Sequence, residues 1–258
     1  MLDFQDFQVS IKQPISISSL IKKGAVFLME NNIINANNEL NWYFQKLYNC
    51  NQGELHTIRD DFISNNNYNK AKQFLLKRSQ HIPFQKLMGY ASFYGRDFFI
   101  NNHVLIPRPE TETLINIIKP ISCSKLLDIG TGSGCLGITA MLENIAKHVD
   151  VLDISESALN LTRKNAKNLN AKNINYLKMN ILKETPPNKY DVVISNPPYI
   201  SKEEYSVLDG SIKNHEPLKA LTDLSDGYTF YKRYASFLKK ILNKNGIAVF
   251  ELSHFFPK

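Results

Sequence analysis

Lys125-Leu126-Leu127-Asp128-Ile129 runs straight into Gly130-Thr131-Gly132-Ser133-Gly134, and a helical stretch follows from Cys135 to about Ala146. A short apolar strand, a glycine turn and a helix in that order are open to few folds. The alternation then continues. Asp150 to Asp153 reads as a strand, Ser157 to Leu169 as a helix and Ile174 to Met179 as a strand. Val192 to Ser195 is a further strand, Tyr228 to Leu242 a helix and Ile247 to Leu252 the last strand. Strands separated by helical segments predict an α/β fold, a doubly wound parallel sheet with helices on both faces.

Upstream the pattern is different. Residues 1 to about 80 read as helical, with Leu20, Ile21, Val26, Phe27 and Leu28 in one segment that follows Ser18-Ser19. Ala36 to Tyr48 carries Leu40, Tyr43, Phe44 and Leu47, and Asn69 to Arg78 carries Ala71, Phe74 and Leu75, all at helical spacing. These stripes predict the core of a small helical bundle with no chemistry of its own. Tyr90 to Tyr94, Gly95-Arg96 and Asp97 to Ile100 predict a β-hairpin. The expected organisation is a helical domain over 1–80, a hairpin connector over 81–106 and an α/β domain over 107–258. Pro107-Arg108-Pro109-Glu110-Thr111-Glu112 opens a helix to about Lys119, and capping alone accounts for a proline and glutamates there.

The stretch Val192-Val193-Ile194-Ser195-Asn196-Pro197-Pro198-Tyr199 carries the clearest chemistry. A β-branched run reads as a buried parallel strand, and two prolines then stop it. Pro197 also drives Asn196 into an extended conformation. The result is a rigid corner at the carboxyl end of a strand, where open α/β sheets bind ligands. A planar –NH2 on an amide or nucleobase is a poor nucleophile because its lone pair is delocalised. The Asn196 side-chain oxygen and the Pro197 carbonyl are two acceptors for its two N–H bonds, which would turn the lone pair toward an electrophile. Tyr199 offers a ring to stack on the planar group. The plain alternative is a strand end with a Pro-Pro turn.

The glycine loop allows a ligand close to the backbone, and Asp153, ending the next strand, can accept both hydroxyls of a ribose. That pair alone does not separate a nicotinamide dinucleotide from S-adenosylmethionine. The Gly-x-Gly-x-Gly spacing and Asp128, two residues before Gly130, favour the second, because a carboxylate there can hold an ammonium group.

Composition excludes more than it assigns. The apolar fraction of 43% is that of an ordinary globular protein, and 258 residues suffice for one large domain and a smaller one. The net charge of +7 permits a nucleic-acid or ribosome-associated partner, but the lysines are scattered and no basic run is interleaved with aromatics. Cys50, Cys123 and Cys135 show no CxxC spacing, which fits a reducing cytoplasm. The six histidines are dispersed, so no metal is expected. Met1-Leu2-Asp3-Phe4-Gln5-Asp6 is not a signal peptide and no apolar run reaches membrane-spanning length, which predicts a soluble cytoplasmic protein.

Gly130 to Gly134, Asp153, Asn196-Pro197-Pro198-Tyr199 and Ile106-Pro107-Arg108-Pro109-Glu110-Thr111-Glu112 together resemble the PrmC/HemK family, the protein-(glutamine-N5) methyltransferases that modify class I peptide chain release factors. Pro83-Phe84-Gln85-Lys86-Leu87-Met88-Gly89 and His215-Glu216-Pro217-Leu218-Lys219-Ala220-Leu221 are similar to two further family blocks. The likeness spans roughly residues 80 to 252. It implies a Rossmann-like class I methyltransferase sheet, S-adenosylmethionine as cofactor and the glutamine of a Gly-Gly-Gln motif as substrate. Gly130, Thr131, Gly132, Ser133 and Gly134 would wrap the cofactor, with Asp153 on its ribose and Asn180 and Ile181 near its adenine. Asn196 and Pro197 would be the catalytic pair, with Pro198 and Tyr199 shaping the glutamine slot and Asn196 bordering the cofactor as well. The helical domain would help recognise the release factor.

Asn180 stands where the family usually has Asp, and Ile181 where an aromatic is common, so weaker cofactor binding is expected. The two further strands that usually follow Ile247–Leu252 are missing from the pattern, and His254-Phe255-Phe256-Pro257 replaces a glycine-containing continuation. A shortened member with an exposed sheet edge and impaired stability or activity is the expectation there. Two other readings compete: a nucleic-acid adenine-N6 methyltransferase, which calls for a basic cleft and a base-flipping pocket, and a catalytically silent paralogue that binds a release factor.

Overall fold

A computed structural model describes residues 14–253, so Met1–Asp6 and His254–Pro257 lie outside the described residues. The chain divides into two compact units, Met1–Met88 and Gly89–Lys258.

The first unit is helical: α1 (Ile17–Glu30), α2 (Ala36–Tyr48), α3 (Gln52–Thr57), α4 (Asn65–Ser79) and α5 (Phe84–Met88). Leu20, Phe27, Leu28, Leu40, Phe44 and Leu75 form its core, as the apolar stripes predict, but Val26 of the same stripe is half exposed to solvent. Three boundaries differ from the sequence reading, each for a capping reason. Ser16 caps α1 by accepting from the Ser19 N–H, so that helix starts before Ser18. Ser64 caps α4, which begins four residues ahead of Asn69. The unanticipated α3 is nucleated by a capping box between Asn51 and Glu54.

The second unit opens with the hairpin β1 (Tyr90–Phe93) and β2 (Arg96–Phe99). A 3₁₀ turn (Pro109–Thr111) leads into α6 (Glu112–Ile118), β3 (Cys123–Ile129), α7 (Cys135–Leu142), β4 (Ala146–Asp153), α8 (Glu156–Asn168), β5 (Ile174–Lys178) and β6 (Tyr190–Ser195). Three short helices follow, α9 (Lys202–Val207), α10 (Gly210–His215) and α11 (Leu218–Leu221), then α12 (Thr229–Ile241) and β7 (Leu242–Phe250). The expected connector is shared out: Phe84 and Leu87 pack on the core of the first unit, while Phe93 and Phe98 are fully buried in the main core of the second. The helix expected to reach Ala146 ends at Leu142. Asn144 takes a left-handed conformation (φ 57°), the Ile145 N–H turns back to the Ala140 carbonyl, and Ala146 already belongs to β4.

The five-stranded sheet has the order β5-β4-β3-β6-β7 and is parallel throughout. Its strands are apolar on both sides because both sides are covered. Leu126, Val149, Val151, Val192 and Ile194 face α6, α7 and α8. Leu127, Ile129, Leu152 and Val193 face Tyr234, Phe237 and Ile241 of α12. This is the doubly wound α/β fold that the family resemblance implies. After β3 the chain moves outward through β4 to β5, then returns to lay β6 on the other side of β3. The topological switch point therefore lies between the ends of β3 and β6, where Ile129 pairs with Ser195. Among the described residues β7 forms the edge beyond β6, and no helix is long and apolar enough to cross a membrane.

Candidate active site

The switch point brings together the two motifs that stand 60 residues apart or more in the chain. Ser195, fully buried at the end of β6, donates to the last carbonyl of β3, Ile129, at 2.7 Å and lies 3.0 Å from the Tyr234 hydroxyl. This ties Gly130 and Asn196, the next residue on each strand, to one corner of the sheet.

On the β3 side several backbone donors are already engaged. Gly130 and Thr131 donate to the Leu152 carbonyl, and Gly134 to the Thr131 carbonyl. Gly132 donates to Asp153 Oδ2 at 3.0 Å, and Gly137, in the first turn of α7, to Asp128 Oδ2 at 3.0 Å. A pyrophosphate needs free N–H groups at such a loop and helix start, whereas here two carboxylates have taken those of Gly132 and Gly137. The Asp128 carboxylate is 0% exposed, also receives the Thr131 hydroxyl at 2.6 Å, and leaves Oδ1 without a partner. Burial pushes its carboxyl up to about 6, against the pull of the Thr131 and Gly137 bonds. Asp153 is likewise raised by burial, opposed by N–H bonds from Ser155 and Gly132. Two carboxylates and an orphaned buried oxygen fit a cationic ligand and disfavour an anionic one. S-adenosylmethionine, with its ammonium and sulfonium, suits this donor set.

The remaining residues expected around the cofactor are less alike. Thr131, Ser133 and Gly134 are buried in the loop, Gly132 is half-buried and Gly130 is exposed. Ile154, which the sequence reading passed over, is an apolar side chain 54% exposed directly after Asp153. Asn180 is half-buried and uses its side-chain oxygen to cap the turn after β5, accepting from the Leu182 N–H at 3.1 Å. Ile181 is 7% exposed and packs in the core beside α12.

On the β6 side Asn196 is half-buried, Pro197 buried, and Pro198 and Tyr199 half-buried. Asn196 Nδ2 donates to Thr111 Oγ1 at 3.0 Å, and Thr111 donates to Glu251 Oε2 at 2.6 Å. The Tyr199 hydroxyl donates to Glu251 Oε1 at 3.1 Å; burial first, then the Glu251 charge, pushes that phenol up to about 12. Thr111 is the fifth residue of the Pro107–Glu112 block, and its side chain makes no cap bond to α6. Arg108 of the same block pairs with the buried Glu216 at 3.0 Å, which joins it to the His215–Leu221 block. Glu251 was missed in the sequence, where it reads as one more residue of the last strand. Among the described residues no group of three His, Cys, Asp or Glu side chains could hold a metal ion.

Comparison with known proteins gives the family. Residues 109–216 match the methyltransferase small domain, and residues 19–89 match the PrmC N-terminal domain. The chain is 40% identical over 208 residues to a release factor glutamine methyltransferase of Bacillus cereus, covering 78% of this chain and 73% of that one. It is 41% identical over 189 residues to that of Bacillus anthracis, covering 70% and 66%, and 33% identical over 242 residues to that of Fusobacterium nucleatum, covering 91% and 68%. The chain belongs to the release factor glutamine methyltransferase family.

Proposed function

We infer that this protein transfers a methyl group from S-adenosylmethionine to the side-chain amide nitrogen of the glutamine in the Gly-Gly-Gln motif of class I release factors. The observation that carries the reading is the corner at the end of β6, set beside a cofactor loop whose carboxylates suit a cation. When bound, S-adenosylmethionine supplies an electrophilic methyl on a sulfonium, whose sulfur departs as a neutral thioether. The chain's own residues supply positioning. Asn196 Oδ1 and the Pro197 carbonyl accept the two N–H bonds of the glutamine amide, which directs its lone pair at the methyl group. Pro198 and Tyr199 hold the amide plane, and the proton released after transfer leaves through these acceptors to water. Asp153 would hold the ribose, Asp128 the ammonium, and Gly130 to Gly134 the main body of the cofactor, with Ile154 and Asn180 toward the adenine. The helical unit is the part we assign to recognising the release factor, and the cytoplasm is where such a substrate is met.

The test is to incubate the protein with S-adenosylmethionine and unmethylated release factor and read the Gly-Gly-Gln peptide by mass spectrometry. One added methyl on that glutamine is expected, and in Asn196→Ala its rate should fall on the order of 10²-fold, the usual loss when one positioned hydrogen-bonding group is removed. No methyl on the peptide despite measurable cofactor binding would overturn the reading.

A further inference from the structure

We propose that Glu251, acting through Thr111, decides which end of the Asn196 amide faces the substrate. This rests on the reading above, in which Asn196 must present its oxygen to the glutamine –NH2. An asparagine amide has nearly the same shape at both ends, but one is a donor and the other an acceptor. Turned by 180°, Asn196 would set its own –NH2 against that of the substrate, and the corner would repel what it should hold. Something has to break the tie.

Thr111 touches Asn196 but cannot decide alone, because a hydroxyl either donates or accepts. Glu251 removes the ambiguity. An ionised carboxylate only accepts, so at 2.6 Å Oε2 takes the single hydroxyl proton of Thr111. The Thr111 oxygen is left as an acceptor, and Asn196 meets it with Nδ2 at 3.0 Å. The direction of hydrogen bonding thus runs from Asn196 to Thr111 to Glu251, and Asn196 Oδ1 is turned the opposite way. The other Glu251 oxygen takes the Tyr199 hydroxyl at 3.1 Å, which gives the ring of the same motif a fixed partner. Glu251 is itself held in place. Its N–H donates to the Ser195 carbonyl at 3.1 Å, extending the β6–β7 ladder by one residue, and its carbonyl receives the Tyr231 hydroxyl at 2.6 Å. Thr111 and Glu251 are therefore positioning residues, since neither need touch the substrate.

The experiment compares Thr111→Val, Thr111→Ser and Glu251→Gln by single-turnover methylation of release factor. Thr111→Val should slow the chemical step roughly 10-fold or more, with cofactor Kd moved less than about twofold, and Thr111→Ser should restore the rate to within about threefold. Thr111→Val placed in an Asn196→Ala background should cost nothing further, because Thr111 acts only through that amide. A merely structural role would cost the same in both backgrounds, and that result would overturn the proposal. A second readout needs no activity. In ¹⁵N NMR the Asn196 side-chain amide, assigned by its loss in Asn196→Ala, should carry one hydrogen-bonded proton. It should keep that signature in Thr111→Ser, lose it in Thr111→Val and shift in Glu251→Gln. An unchanged resonance in both Thr111→Val and Glu251→Gln would sink the proposal. A wild-type protein that fails to methylate the peptide would count against the functional reading alone, while the amide resonance still decides the positioning.

Discussion

The two strand ends at the switch point are held in opposite ways. At the end of β3 the bonds to carboxylates are local. Thr131 reaches Asp128 across three residues, Gly137 across nine, and Gly132 reaches Asp153 across 21. At the end of β6 they are remote. Asn196 meets Thr111 across 85 residues, Tyr199 meets Glu251 across 52, and Thr111 meets Glu251 across 140. The first end is two backbone N–H groups and one hydroxyl gripped by carboxylates inside one strand–turn–helix–strand segment. The second is side chains converging from both margins of the α/β unit. On the proposed function, damage at the β3 end should lower stability and cofactor affinity together, because the same bonds would serve both. Damage at the β6 end should lower turnover and leave both nearly alone.

The largest effect is expected at Gly134. Its φ is +84°, and an added Cβ would lie 2.6 Å from Thr162 Cγ2 and 2.7 Å from Ile138 Cδ1. Strain in the left-handed region costs about 1–2 kcal/mol and overpacking a further ~1–3 kcal/mol. Gly134→Ala should then lower the melting temperature by roughly 5–15 °C, with cofactor affinity falling in parallel. Gly130, with φ +72° and no atom within 4 Å of the added Cβ, gives the control. Gly130→Ala carries the strain alone and should melt only a few degrees below wild type. Equal losses in the two variants, read by thermal denaturation with and without cofactor, would break the account of the β3 end as a packed cradle.

The same contrast explains what could be read from the sequence. The loop, Asp128 and Asp153 stood out as candidates because they lie close together in the chain and their residue types match their spacing. The parallel sheet was legible from the alternation of apolar runs. Thr111 was visible only as part of a block that capping explained, and Glu251 was not visible at all, since no periodicity marks a carboxylate that meets a hydroxyl 140 residues away. The helix boundaries were missed for the reverse reason. Single residues such as Asn144 in a left-handed turn, or the Asn51–Glu54 and Ser201–Glu204 capping boxes, override a stripe that reads smoothly.

If the carboxylates of the β3 end await a cation, their titration should show it. Burial raises Asp128 from 3.8 to about 6. Between those values the folded protein holds a proton that the unfolded chain has released, so stability falls as pH rises through the window. The penalty is absent below pH about 4 and complete above about 6. It amounts to at most ~3 kcal/mol, from about 1.4 kcal/mol per unit. Asp128→Asn should therefore gain stability relative to wild type as pH is raised from 4 to 7, in melts recorded side by side. The cofactor should behave in the opposite sense. An ammonium favours the ionised carboxylate, so wild-type affinity should climb roughly 10-fold as pH rises through about 6, while Asp128→Asn stays flat in calorimetric titrations. A wild-type affinity without that rise would detach Asp128 from the ammonium and leave it as a brace for Thr131 and Gly137.

The smallest effect is expected at Asn180, where the family resemblance implies an aspartate. Its side-chain oxygen accepts from the Leu182 N–H, its carbonyl from the Lys183 and Glu184 N–H groups, and its own N–H donates to Glu184 Oε1 at 2.7 Å. An aspartate caps that turn equally well, so Asn180→Asp should shift stability by no more than about 0.5 kcal/mol. Toward the adenine amino group the two differ, because a hydrogen bond to a charged acceptor is worth about 1 kcal/mol more than one to a neutral amide. Solvent at this half-buried position and the charge of Glu184 nearby reduce the gain, so cofactor Kd should tighten about 2–5-fold with turnover unchanged. No tightening, in a titration precise to a factor of two, would move the adenine away from position 180. The exposed Ile154 beside Asp153 would then be the remaining apolar surface for it, and Ile154→Ala would be the variant to titrate next.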